Sequence, residues 1–255
     1  MKALTLVAIA FCATSVFVLA QARPAPPPLA PASSTQVEVP CSTGDSTPAF
    51  NAALARAVAG TDKVVHLYAC TYHFNSAPAP ISNGIEVLGQ GMYTTYLERD
   101  YSPGHGCTSC EFISTVDIGE TIKDLAIFAA RGTSGGWGLH AISTDARKGN
   151  DVILDNVYIS GYGTYTLPVF LDGKKSLLPP EGIRKVNFTN VAVFNGTWHG
   201  FECWNCVGMS WHGGGLWAGF GTTQDAIVGG PLSTQNMISA FVNGTVQYWS
   251  GSELH

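Results

Sequence analysis

The chain has 255 residues, only 12% of them charged, 29 glycines and a formal net charge of −5. That balance, with no basic cluster larger than Lys174-Lys175, excludes a nucleic-acid-binding surface. Valine, isoleucine, threonine, tyrosine and tryptophan recur in short runs between glycines and asparagines, which is the chemistry of strands and turns.

Residues 1–22, MKALTLVAIAFCATSVFVLAQA, carry one lysine, an apolar run and an Ala20-Gln21-Ala22 cleavage pattern, and are expected to be a signal peptide. An uncleaved anchor is the alternative, since the run approaches spanning length, but Thr5, Thr14 and Ser15 interrupt it. Cleavage implies a secreted or periplasmic protein with no membrane partner. Five prolines between Pro24 and Pro31 make residues 23–40 an extended tether, so the folded domain is expected over 41–255. Without Cys12, six cysteines remain: Cys41, Cys70, Cys107, Cys110, Cys203 and Cys206. An even count in an exported chain favours disulfides. Six cysteines allow fifteen connectivities; the set adopted as the expectation is Cys41–Cys70, Cys107–Cys110 and Cys203–Cys206.

STPAFNAALARAVAG predicts a short helix near 47–59, with Thr47 as cap, Pro48 in the first turn and Gly60 at the end. Phe50, Leu54, Ala57 and Val58 would form its buried face. VVHLYACTYHF then alternates on a period of two, and NGIEVLGQG reads as a strand closed by a tight glycine turn rather than a nucleotide loop. Beyond residue 120 two kinds of unit return about every thirty residues. One set is DLAIFA (124–129), NVYISG (156–161) and NVAVFN (190–195); the other is GLHAIS (138–143), PVFLDG (168–173) and GFECWN (200–205). Strands too short to stand alone, repeated at this period, predict a solenoid whose coils share one interior.

The helix-and-first-coils segment (GDSTPAFNAALARAV, VVHLYACTYHF, IEVLGQGMYTTYLERD) and the later NVxxxN and GxxxxxxC units resemble the pectate-lyase-like superfamily, the pectin lyase fold, over roughly residues 41–250. The resemblance implies an all-β fold: a right-handed single-stranded parallel β-helix with a short N-terminal capping helix that covers the open end of the coil. It also implies company with secreted polysaccharide-active proteins and phage tailspikes, some of them non-catalytic. At the C-terminus SGSELH offers no evident cap, so either a second copy of the chain closes the last coil or the chain is a shortened member.

Aligning the second set puts Leu139, Val169 and Phe201 in one interior column and Ala141, Leu171 and Cys203 in another. The intervening columns, His140, Phe170 and Glu202, then Ile142, Asp172 and Trp204, are expected to face outward. Coils stack about 4.8 Å apart, which would set Asp172 and Glu202 roughly 8 Å from each other, within the range for an acid and a base flanking a water in inverting glycoside hydrolysis. His140 would serve as a relay. Trp137, Trp198 and Trp204, with His199, Lys174 and Lys175, would form the substrate-binding surface, tryptophan offering a flat apolar face to a sugar ring. The bland alternative makes Asp172 a turn residue and Glu202 a solvated charge.

The paired aspartates of polygalacturonase-like members are absent, and the one GHG, Gly104–Gly106, lies far upstream. Lys174, Lys175, Arg184 and Lys185 keep a lyase open, and calcium would then be the cofactor; otherwise none is expected. Asp145, Asp151 and Asp155 offer oxygen ligands without an ordered loop signature. His199, Cys203, Cys206 and His212 have neither the spacing nor the compartment of a zinc site, so no metal is assigned. The sequence therefore predicts a polysaccharide partner, bound and cleaved by a hydrolase or a lyase, or bound only, as in an adhesin.

Overall fold

In a computed structural model the described residues are 36–103, 111–117, 119–130, 132–133, 135–144, 150–160, 167–173, 183–194, 201–204, 209–217, 227–229, 241–247 and 252–254. The segments read as signal peptide and as most of the tether lie outside them. Chain order is β1 (Val37–Val39), α1 (Thr47–Ala59), β2 (Val64–Leu67), β3 (Thr71–Phe74), β4 (Ile81–Ser82), β5 (Glu86–Leu88), β6 (Tyr96–Arg99), β7 (Glu111–Val116) and β8 (Glu120–Ala129). It continues with β9 (Trp137–Ile142), β10 (Asn150–Ser160), β11 (Leu167–Asp172), β12 (Ile183–Phe194), β13 (Phe201–Trp204), β14 (Met209–Trp217), β15 (Ile227–Gly229), β16 (Phe241–Gln247) and β17 (Ser252–Leu254).

All described pairings are parallel and join strands of successive coils, which makes the fold an all-β parallel solenoid. One sheet, here the long-strand sheet, runs β1-β2-β5-β8-β10-β12-β14-β16, with β3 and β6 joining it beside β8. The other, the short-strand sheet, runs β17-β15-β13-β11-β9-β7-β4. Like residues stack on like across coils. Val157 is in register with Leu125, and Ile159 with Ile127 and Val193, all fully buried. This is why strands of two to twelve residues hold together: each buries its inner face only against its neighbours.

Each long strand is two strands joined at a corner. β5 pairs with the first half of β8 and β6 with its second half. Between the halves stand Asp124, Asn156 and Asn190 with φ of 53°, 56° and 50°. Asn and Asp tolerate this left-handed region because their side chains can bond locally. Here they bond to one another: Asn190 Nδ2 donates to Asn156 Oδ1 at 2.8 Å, and Asn156 Nδ2 to Asp124 Oδ1 at 2.6 Å. The first residue of each DLAIFA-type unit is thus a corner residue in an axial ladder. The glycine turn of NGIEVLGQG also docks there, Gly91 N–H donating to the Asp124 carbonyl at 2.7 Å.

Among the described residues α1 is the single helix, and it packs on β1 and β2 at the N-terminal end. Its buried face is Phe50, Ala53, Leu54 and Ala57, a spacing of i, i+3, i+4, i+7. Val58, expected on that face, is 41% exposed because it falls one step beyond the stripe's edge. Thr47 is inside the helix rather than its cap. Asp45 does the capping work, accepting from the Thr47 N–H at 2.9 Å and the Thr47 hydroxyl at 2.6 Å, and these bonds lower its pKa. The domain also begins earlier than residue 41: Val37 and Val39 bury themselves in register with Val65 and Leu67.

Cys41 and Cys70 are bonded, with Cα atoms 6.2 Å apart. Cys203 is also disulfide-bonded; Cys107, Cys110 and Cys206, in the other two expected pairings, lie outside the described residues. The Cys41–Cys70 bridge spans 29 residues, and loop-closure entropy for that length is worth about 3.5 kcal/mol. Replacing both cysteines by serine is expected to lower the denaturation midpoint accordingly. A loss under about 1 kcal/mol would mean that β1 and α1 hold this end without the bridge.

Candidate active site on the short-strand sheet

The register of the short-strand sheet is the one read from the sequence. Leu139, Val169 and Phe201 align, as do Ala141, Leu171 and Cys203, and all six are buried in the interior. On the opposite parity His140, Phe170 and Glu202 form one column, and Ile142, Asp172 and Trp204 the next. These columns take the outward parity expected of them, but the first is not open to solvent. His140 is 6% exposed, Phe170 4% and Glu202 6%, so this column is itself covered.

Within that layer His140 is clamped between two carboxylates. Its Nδ1 lies 3.8 Å from Glu111 Oε2, and its Nε2 lies 3.7 Å from Asp172 Oδ2. Both are ion-pair distances, longer than a hydrogen bond. Burial pushes the imidazole pKa down, but Asp172 and Glu111 together outweigh it and hold the ring above its usual value. The ring stacks on Phe170, centroids 5.0 Å apart and planes 6° from parallel, and meets the edge of Trp137 at 4.5 Å. Trp137 also packs edge-on against Phe170 at 5.0 Å. Two aromatic walls and two carboxylates therefore fix one imidazole.

Three of the expected residues, His140, Asp172 and Trp137, are thus brought together, and Glu202 sits one coil on, in register with Phe170. Trp204 is in register with Asp172. Trp198, His199, Lys174 and Lys175 lie outside the described residues, as does Asp145. Asp151 and Asp155 are paired with lysines instead of grouped as cation ligands: Lys185–Asp151 at 3.9 Å and Lys123–Asp155 at 4.0 Å.

Glu111 was missed. It heads EFISTV, whose Ile113, Ser114 and Thr115 align with Leu139, His140 and Ala141. Extending the GLHAIS set one coil towards the N-terminus would have found it. A second titratable group, also unread, lies on the outer face of the long-strand sheet. His73 Nδ1 is 2.9 Å from Asp100 Oδ2 and 3.9 Å from Glu98 Oε2. Burial, and then the charge of Asp100, raise the Glu98 pKa against the opposing pull of His73. These three could offer ligand atoms to a cation, all within 4.8 Å of one another, but His73 already spends Nδ1 on Asp100.

No family model matches the chain, and no curated protein matches it. Among solved structures the chain is similar to the crystal structure of the Agl-KA catalytic domain, at 15% sequence identity and a TM-score of 0.50, over 85% of this chain and 38% of that one. At that identity the likeness is one of fold, and it agrees with the parallel β-solenoid.

Proposed function

We propose that the protein is an exported, pectate-lyase-like β-helix that binds and hydrolyses a polysaccharide on the outer side of the short-strand sheet. The observation that carries this reading is the Glu111–His140–Asp172 cluster. Burying ionisable groups is costly, and an apolar trio of similar volume would serve the fold equally well. Titratable groups held together under cover, with a shifted pKa and aromatic walls, are the pattern of chemistry rather than of packing. Asp172, whose side chain is 21% exposed, is the open end of the cluster, and His140 can take or supply a proton through Nε2. Glu202, one coil along, completes an acid–base pair with Asp172 across the strands. Trp137, at the cluster's edge, provides surface for a sugar ring. The disulfides fit an oxidising compartment.

A non-catalytic binder is the second reading, favoured by one observation. Phe170 stands between His140 and Glu202 in their column, so those two are separated by a ring. The test is depolymerisation of neutral and uronate-containing polysaccharides by wild type and by Asp172→Asn/Glu202→Gln. General acid–base catalysis is worth roughly 10²–10⁴-fold, and the double variant is expected to lose at least that. Wild type inactive across a broad panel would favour the binder, and cleavage retained by the double variant would move the site elsewhere. An unsaturated, ultraviolet-absorbing product would make the reaction a lyase's.

A further inference from the structure

The outer face of the long-strand sheet has two unlike halves on either side of the Asp124–Asn156–Asn190 corner. Before the corner it is an ordinary solvated surface, where Lys123 lies between Glu86 and Asp155, 3.7 and 4.0 Å away, and Lys185 pairs with Asp151. After the corner it is aromatic. Two neighbouring outward columns run across the coils. One reads Thr71, Tyr96, Ala126, Tyr158, Ala192; the other His73, Glu98, Phe128, Ser160, Phe194. Large and small residues alternate in opposite phase, so each ring leans over the small residue of the adjacent coil. Ala126 and Ser160 are fully buried as a result. The rings form a zigzag, Tyr96 to Phe128 at 5.5 Å between centroids and Phe128 to Tyr158 at 5.4 Å.

This zigzag floors a groove of about 350 Å³ lined by Thr71, Tyr93, Tyr96, Glu98, Phe128 and Tyr158. Tyr93, 72% exposed, stands at its rim on a turn pinned by the Tyr96 hydroxyl, which donates to the Tyr93 carbonyl at 2.6 Å. Tyr93 stands in water and Tyr96, Phe128 and Tyr158 are only partly buried, and the charged half of the same sheet shows that the fold does not require rings here.

We propose that this strip is a binding site for a neutral polysaccharide chain, separate from the short-strand-sheet cluster. Ring faces spaced one coil apart match the apolar faces of successive sugars, while the tyrosine and threonine hydroxyls and Glu98 can bond the hydroxyls at the sugar edges. The carboxylates of Glu98 and Asp100 at one end repel a uronate chain. The proposal takes its ligand class from the polysaccharide reading, but it needs no cleavage.

The test is affinity for soluble neutral glucans, polygalacturonate and chitosan, measured by affinity electrophoresis and calorimetry on the full-length protein. The variants are Tyr93→Ala, Tyr96→Ala/Tyr158→Ala, Asp172→Asn and, as a control on the exposed side of the helix, Val58→Ala. Neutral-glucan binding is expected to fall at least roughly tenfold in the double tyrosine variant, to fall measurably in Tyr93→Ala, and to stay within twofold in Val58→Ala. Tyr93 is exposed enough that its loss cannot be mistaken for unfolding. If both tyrosine variants bind as wild type while Asp172→Asn does not, the strip is overturned and the short-strand-sheet reading stands. Tighter binding of polygalacturonate or chitosan than of glucan would overturn the neutral assignment. A wild type that binds nothing in the panel would overturn the strip and its ligand class together.

Discussion

Gly214→Ala is expected to destabilise the protein by about 3–5 kcal/mol, a fall in melting temperature of roughly 10 °C. Two independent costs add at this position. Its φ is +77°, a region in which a side chain is strained. A Cβ there would also land on the backbone of Val191 in the preceding coil, overlapping its carbonyl oxygen and lying 2.7 Å from its nitrogen. Backbone in a stacked sheet cannot move aside as a side chain can. Gly132 supplies the control, since it too has positive φ (+87°) but nothing within 4 Å of its would-be Cβ. Gly132→Ala should show the conformational term alone, about 1 kcal/mol. Thermal unfolding followed by circular dichroism compares them, and equal losses would refute the close stacking of β14 on β12.

Gly213 and Gly214 also show what could be read and what could not. The corner at the head of DLAIFA, NVYISG and NVAVFN was legible as a repeat because Asp124, Asn156 and Asn190 are residues that tolerate the bend. The next coil makes the same bend opposite Asn190 with a glycine, and glycine in a glycine-rich stretch marks nothing in particular. The short-strand register was legible for a different reason. A slip of one residue would have put Glu202, His140 and Asp172 inside the coil, and only one parity avoids that.

The burial of the His140 column was not legible. Alternation says which side of a sheet a residue takes, never what lies over that side. The aromatic strip escaped because neither column is aromatic when read alone; Tyr96 and Tyr158 in one interlock with Phe128 in the other. Contacts of that kind depend on side chains one coil and two positions apart, a relation that strand-by-strand reading does not examine. Glu111 was hidden similarly, since its contact with His140 crosses from β7 to β9.

His140→Ala is expected to cost about 3 kcal/mol near pH 6, because it leaves Glu111 and Asp172 facing each other without the cation between them and opens a gap beside Phe170. The pH dependence has a definite sign. His140 has a raised pKa in the fold, so its charge contributes stability fully below the unfolded value, near 6.5, and loses it as pH rises through the folded value. The excess stability of wild type over His140→Gln should therefore shrink as the medium is made alkaline. The informative variant is the triple one, Glu111→Gln/His140→Phe/Asp172→Asn, which keeps the shapes and removes the charges. If the cluster exists for chemistry, this protein should be within about 1 kcal/mol of wild type, nearly flat across the same pH window, and unable to cleave polysaccharide. A triple variant as unstable as His140→Ala would make the cluster a structural clamp, and the catalytic reading would lose the observation that carries it.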